Sequence, residues 1–92
     1  MPGSSDGPVV RTATLPADVA LHARPAGMLV RAAAQQPAAL VLLANGKRAD
    51  AKSILQVLAL GATGGSEVTV EASGDGAEAS ADAIASLLAT LE

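Results

Sequence analysis

The chain has 92 residues, a length that suits one domain and little more. It contains no cysteine, which excludes disulfides and thiolate metal sites, and no Phe, Tyr or Trp, which removes the stacking platforms of single-stranded nucleic-acid binders. A net charge of −3 argues against a general binder of phosphate backbones, and no apolar run approaches the roughly 18 residues of a membrane span.

In chain order, residues 1–8 (MPGSSDGP) are rich in Gly, Pro and Ser and read as a flexible tail. They lack the basic and apolar regions of a secretory signal, so the chain is expected to be soluble and cytoplasmic, with 9–92 as its single domain. Val9 to Leu15 (VVRTATL) has the β-branched content of a strand, and Pro16 to Leu21 is a loop. From Ala23 to Gln36 the pattern is helical: Ala26, Leu29, Val30 and Ala33 form one stripe, and Pro25 is tolerated in the first turn. Pro37 ends this helix.

Ala39 to Ala44 (ALVLLA) is an apolar run of strand length, followed by Asn45-Gly46, a strong hairpin signal because both residues accept positive φ. Lys47 to Asp50 is the short returning strand. Ser53 can cap a second helix that Gly61 closes. Glu67 to Ala72 alternates, with Val68, Val70 and Ala72 on one side, and the last segment is helical on Ile84, Leu87, Leu88 and Leu91, extended by Ala77 and Ala81. The order β-α-β-β-α-β-α implies an α+β two-layer sandwich. Charge is uneven along it: residues 1–52 carry six basic and three acidic groups, whereas residues 53–92 carry six acidic groups and no basic one. A weakly basic half suits an acidic partner or a phosphoryl group, although ordinary solvated surface explains the same split.

The chemistry-bearing residues gather at one helix start. His22 is the sole histidine and directly precedes Ala23-Arg24-Pro25. The first turn of a helix presents N–H groups without intrahelical partners and the positive end of the helix dipole, a ready anion site. Arg24 adds a guanidinium able to grip phosphoryl oxygens with two parallel hydrogen bonds. A nucleophilic imidazole beside such a site has what transient phosphorylation of a histidine needs. Other chemistries fit worse. One His without Cys and without a carboxylate at helical spacing makes a poor metal site, and neither GxSxG nor a P-loop occurs. The Gly64-Gly65 pair reads as a turn.

At these residues the sequence resembles the HPr family of phosphocarrier proteins. LHARPAGMLV (21–30) is similar to the family's signature around its phosphorylated histidine, and KSILQVLALG (52–61) to its second signature around a regulatory serine. NGKRAD and GSEVTVEASG fall in the family's order and spacing, and the similarity covers about residues 12–91. The resemblance implies an open-faced β-sandwich, a four-stranded antiparallel sheet covered on one face by three helices. It implies that His22 accepts a phosphoryl group through Nδ1, that Arg24 stabilises it, and that Ala23 and Arg24 offer backbone N–H groups. Ser53 matches the serine that a dedicated kinase phosphorylates in some members. Gly27, Met28, Ile54, Leu55 and Leu58 match the surface that docks enzyme I and the enzyme IIA domains. Asp18-Val19-Ala20 and Gly27 depart from the family's usual residues, as does the absence of Phe from the core.

The resulting expectation is a monomeric general phosphocarrier without cofactor or metal, a substrate of its partners more than an enzyme. It would take a phosphoryl group derived from phosphoenolpyruvate from enzyme I and give it to enzyme IIA domains for sugar uptake. Three alternatives remain at this point: a carrier of the same fold in a nitrogen-regulatory branch, an all-helical acyl-carrier-like protein using Ser53, and an interaction module that has lost phosphotransfer.

Overall fold

A computed structural model describes residues 7–92, and the first six residues of the expected tail lie outside the described residues. The elements follow the order read from the sequence: β1 (Val9–Thr14), α1 (Ala23–Ala34), β2 (Ala39–Ala44), β3 (Lys47–Asp50), α2 (Ile54–Ala59), β4 (Glu67–Ser73) and α3 (Ala77–Thr90). The strands form one sheet in the order β1-β4-β2-β3, with every neighbouring pair antiparallel.

Alternation along each strand separates two faces. Val68, Val70 and Ala72 of β4, Leu40, Leu42 and Ala44 of β2, Ala13 of β1 and Ala49 of β3 are buried. Their side chains meet α3, which packs on β1, β4 and β2, and α2, which packs on β3, while α1 packs on α2 and α3. The other face carries Val10, Thr12, Thr14 and the half-buried Val41, Leu43 and Thr69. The result is the α+β open-faced sandwich, helices on one side only. Without aromatic residues, the core is filled by Leu15, Leu29, Leu40, Leu42, Leu60, Ile84 and Leu88 with Val57, Val68 and Val70. Alanines such as Ala26, Ala33, Ala72 and Ala81 complete it and let helices and sheet approach closely.

Local chemistry explains most boundaries. Asn45 (φ 54°) and Gly46 (φ 73°) both lie in the left-handed region, as the tight β2–β3 hairpin requires. Ser53 caps α2 by accepting from the Gln56 N–H at 3.4 Å, and Gly61 ends the helix with φ 63°. The side chains of the β2–β3 hairpin also serve the end of α2: Asn45 Nδ2 donates to the carbonyls of Leu60 (3.0 Å) and Gly61 (3.2 Å), and Lys47 Nζ to that of Ala59 (3.3 Å). β1 is tied to α3 where Arg11 Nε donates to Asp82 Oδ1 at 2.8 Å and Nη2 lies 3.5 Å from Glu78 Oε2.

Three details differ from the sequence reading. α1 ends at Ala34, not Gln36, because the last bonds tighten: Gln35 and Gln36 N–H groups reach back three residues to Ala32 and Ala33. Pro37 enforces this by disfavouring helical geometry at Gln36. In α1, Pro25 is buried where Val30 is only half-buried. In α3, the buried stripe runs through Ser80, Ala81, Ile84 and Leu88, with Leu87 half-buried and Leu91 buried just past the helix end. Ser80 is tolerated because its hydroxyl donates to Gln36 Oε1 at 3.0 Å.

Candidate phosphoryl-acceptor site

His22 stands at the junction of a loop and α1. It is the N-cap residue, with extended backbone (φ −98°, ψ −167°), and its carbonyl accepts the first helical bond from Ala26 N–H at 2.9 Å. The N–H groups of Ala23 and Arg24 therefore have no acceptor within the helix, and Pro25 has no N–H to present. The imidazole makes no capping bond and is exposed, so it stands in solvent at the positive end of a 12-residue helix. Arg24 is exposed too, and among the described residues its guanidinium pairs with no carboxylate. Two turns on, Arg31 folds back along the helix so that its Nη1 lies 3.6 Å from where a Cβ on Gly27 would stand.

The loop ahead of His22 is anchored at both ends by buried leucines, Leu15 and Leu21. Backbone bonds tie it to the segment after α2: Leu15 N–H donates to Ser66 O, Gly65 N–H to Leu15 O, and Leu21 N–H to Ala62 O, at 2.9–3.0 Å. Among the described residues, the Asp18 side chain makes no hydrogen bond to the imidazole, and the loop's course is set by these backbone bonds together with the buried Leu15 and Leu21 and the core-packed Val19.

The structure thus brings His22, Ala23 and Arg24 together and keeps Ser53 apart from them. Leu21 bonds near the end of α2, whereas Lys52 Nζ, just before α2, donates to Gln36 O at the end of α1 (2.9 Å). The two helices are antiparallel, so Ser53 lies at the far end of α2, a helix of six residues and about 9 Å. Between them is the expected docking surface. Met28 and Ile54 are each 37% exposed and Leu55 76%, three of the four large apolar side chains that the described residues leave open to solvent. Gly27 is half-buried, and Leu58 is half-buried and packed against the core.

Among the described residues His22 is exposed to solvent. A depression lined by Arg48, Asp50, Lys52 and Gln56 lies at the β3 edge and includes neither His22 nor Arg24. Among the described residues no three His, Asp or Glu side chains gather to hold a metal ion, and no helix is long and apolar enough to cross a membrane. An exposed imidazole at a helix start with two free N–H donors can receive an anionic group, and Arg24, two residues on, adds a solvent-exposed guanidinium.

Comparison with known proteins decides the assignment. The family described as "PTS HPr component phosphorylation site" matches residues 9–90. The chain belongs to the HPr family of phosphocarrier proteins. It is 43% identical over 70 residues to the phosphocarrier protein HPr of Streptomyces coelicolor, covering 75% of each chain. It is 38% identical over 66 residues to that of Mycoplasma capricolum, covering 72% of this chain and 74% of the relative. The crystal structure of an HPr from Bacillus anthracis superposes with a TM-score of 0.83 at 30% identity, covering 88% of this chain and 96% of that one. As an HPr-family phosphocarrier the protein is not a catalyst. The four-stranded sheet overturns the all-helical acyl-carrier alternative, since that fold has no place for β1 to β4.

Sequence reasoning passed over Arg31, whose spacing of four residues from Gly27 was the available signal. It also passed over the segment Ala62–Ser66, whose contact with the loop before His22 is long-range and leaves no periodic mark.

Proposed function

We propose that His22 accepts a phosphoryl group from enzyme I of the phosphotransferase system and passes it to enzyme IIA domains that serve sugar uptake. The imidazole Nδ1 forms the new bond to phosphorus as the donor's bond breaks, and the same bond is cleaved when the group moves on. The observation that carries this reading is the exposed imidazole at the α1 N-cap, uncommitted to any cap, at a helix start whose Ala23 and Arg24 N–H groups are free, with the exposed Arg24 two residues on. Those donors oppose the negative charge of the transferring group, which is how positioning and charge stabilisation assist phosphoryl transfer. Met28, Ile54, Leu55, Leu58 and Gly27 form the docking surface, and the partner completes the reaction site.

Ser53 is the regulatory position, open to a serine kinase, and acts on docking rather than on His22 directly, since α2 separates the two. Residues 9–92 act as the carrier domain, in the cytoplasm, where the partners and phosphoenolpyruvate are found. The domain works as a monomer. In support, β3, one of the sheet's two edge strands, exposes Lys47, Arg48 and Asp50 within four residues, which opposes pairing at that edge.

Incubation with enzyme I and phosphoenolpyruvate tests the reading. Intact mass should show one acid-labile phosphoryl group on the wild-type chain and none on His22→Ala. Persistent labelling of His22→Ala would sink the assignment. Labelling by sugar-branch enzyme I, and not by a nitrogen-branch counterpart, selects between the two branches.

A further inference from the structure

We propose that Gly64 is a positioning residue for His22, needed because only a bare backbone lets the segment after α2 lie directly against the Pro16–Ala17 peptide that begins the His22 loop. The inference rests on His22 being the phosphoryl acceptor. A Cβ at Gly64 would overlap the Ala17 carbonyl oxygen and lie 2.6 Å from the Ala17 carbonyl carbon and 3.0 Å from the Pro16 oxygen. All three atoms are backbone, so none can swing aside as a side-chain tip would. The requirement is for space and not for a special conformation. Gly46, Gly61, Gly65, Gly74 and Gly76 have positive φ, whereas Gly64 does not.

The displaced peptide leads directly to the site. Only Asp18 to Leu21 separate Ala17 from His22, and two short backbone bonds tighten that stretch, Val19 N–H to Pro16 O (3.0 Å) and His22 N–H to Ala20 O (2.9 Å). The bonds from Gly65 to Leu15 and from Leu21 to Ala62 hold the same two segments together on either side of the Gly64 contact. With no bond from the Asp18 side chain to the imidazole among the described residues, this backbone clamp, together with the buried Leu15 and Leu21, sets where His22 stands relative to the Ala23 and Arg24 N–H groups. A methyl group at 64 must push the loop away by a distance on the order of 1 Å, and a misplacement of that size can cost up to about 100-fold in rate.

Gly64→Ala and Gly74→Ala in the full chain test this, with melting curves to establish that each is folded. Gly74 has φ 91° and open space at its Cβ, so alanine there is strained without touching the His22 loop. Gly64→Ala should shift the His22 ring protons and the Ala23 and Arg24 amides in NMR spectra. It should also lower kcat for transfer from enzyme I by roughly 10-fold or more, with KM little changed because the α2 docking surface is untouched. Gly74→Ala should leave the ring, the amides and kcat as in wild type. Wild-type shifts and kcat in Gly64→Ala would overturn the inference, as would an equal fall in kcat for Gly74→Ala. In the unsubstituted chain the Leu21 and Gly65 amides should exchange slowly with solvent deuterium; fast exchange would overturn it independently of either variant. Failure of the underlying acceptor reading is seen separately, as labelling of His22→Ala.

Discussion

Replacing Arg24 separates charge from geometry at the proposed acceptor site. Its guanidinium is exposed and, among the described residues, engages no carboxylate, so Arg24→Ala removes nothing that holds the fold. Stability should stay within about 0.5 kcal/mol, or roughly 2–4 °C in melting temperature for a domain of this size. Transfer should suffer far more. A charge-assisted hydrogen bond contributes about 1.5–3 kcal/mol once solvent is excluded, as it is when a partner covers the site. At about 1.4 kcal/mol per tenfold, losing one such contact slows phosphorylation of His22 by roughly 10- to 150-fold. Arg24→Lys keeps the charge but loses the planar fork, and should recover only part of that factor. Rapid-quench measurement of phosphohistidine formation with enzyme I, across the three proteins, reads these rates. Equal rates for wild type and Arg24→Ala, with both melting alike, would refute the role given to the guanidinium.

Ser53→Asp keeps an acceptor for the Gln56 N–H and places a negative charge beside Ile54 and Leu55, so it should melt within roughly 4 °C of wild type while slowing phosphorylation of His22 by enzyme I. An unchanged rate in a folded Ser53→Asp protein would leave Ser53 as a cap alone. Leu42→Ala hollows the core, where Leu42 is fully buried on β2, one of the two interior strands. A loss of about 2–5 kcal/mol is expected, enough to leave a domain of this size marginally folded, and urea titration checks it.

Much of the fold is legible in the sequence because its signals are local. Asn45-Gly46 needs two positive φ values, Ser53 caps three residues ahead, and the alternation of EVTVEA shows which side of β4 is buried. The proposed acceptor site could be singled out for the same reason, since His22, Ala23 and Arg24 are consecutive. What escapes is whatever depends on tertiary contact. Ser80 breaks the apolar stripe of α3 and is buried only because Gln36, 44 residues away, accepts its proton. Gly64 sits in a glycine pair that looks like any turn, and its reason lies across the molecule at Ala17. The distance between Ser53 and His22 follows from the antiparallel packing of α1 on α2, which neither helix encodes alone.

The strand order has a consequence for how the chain is made. β4 lies between β1 and β2 in the sheet, yet it is the last strand to be synthesised. Until it emerges, β1 has no neighbour: Val9 must wait for Ala72, and Thr14 for Glu67. Only the β2–β3 hairpin can pair early, because it alone joins strands adjacent in sequence. Such long-range pairing raises contact order and slows folding relative to a helical bundle of the same length. A nascent chain ending before β4 therefore holds His22 but not the sheet that supports it, and the carrier assembles only when nearly all of its residues have arrived.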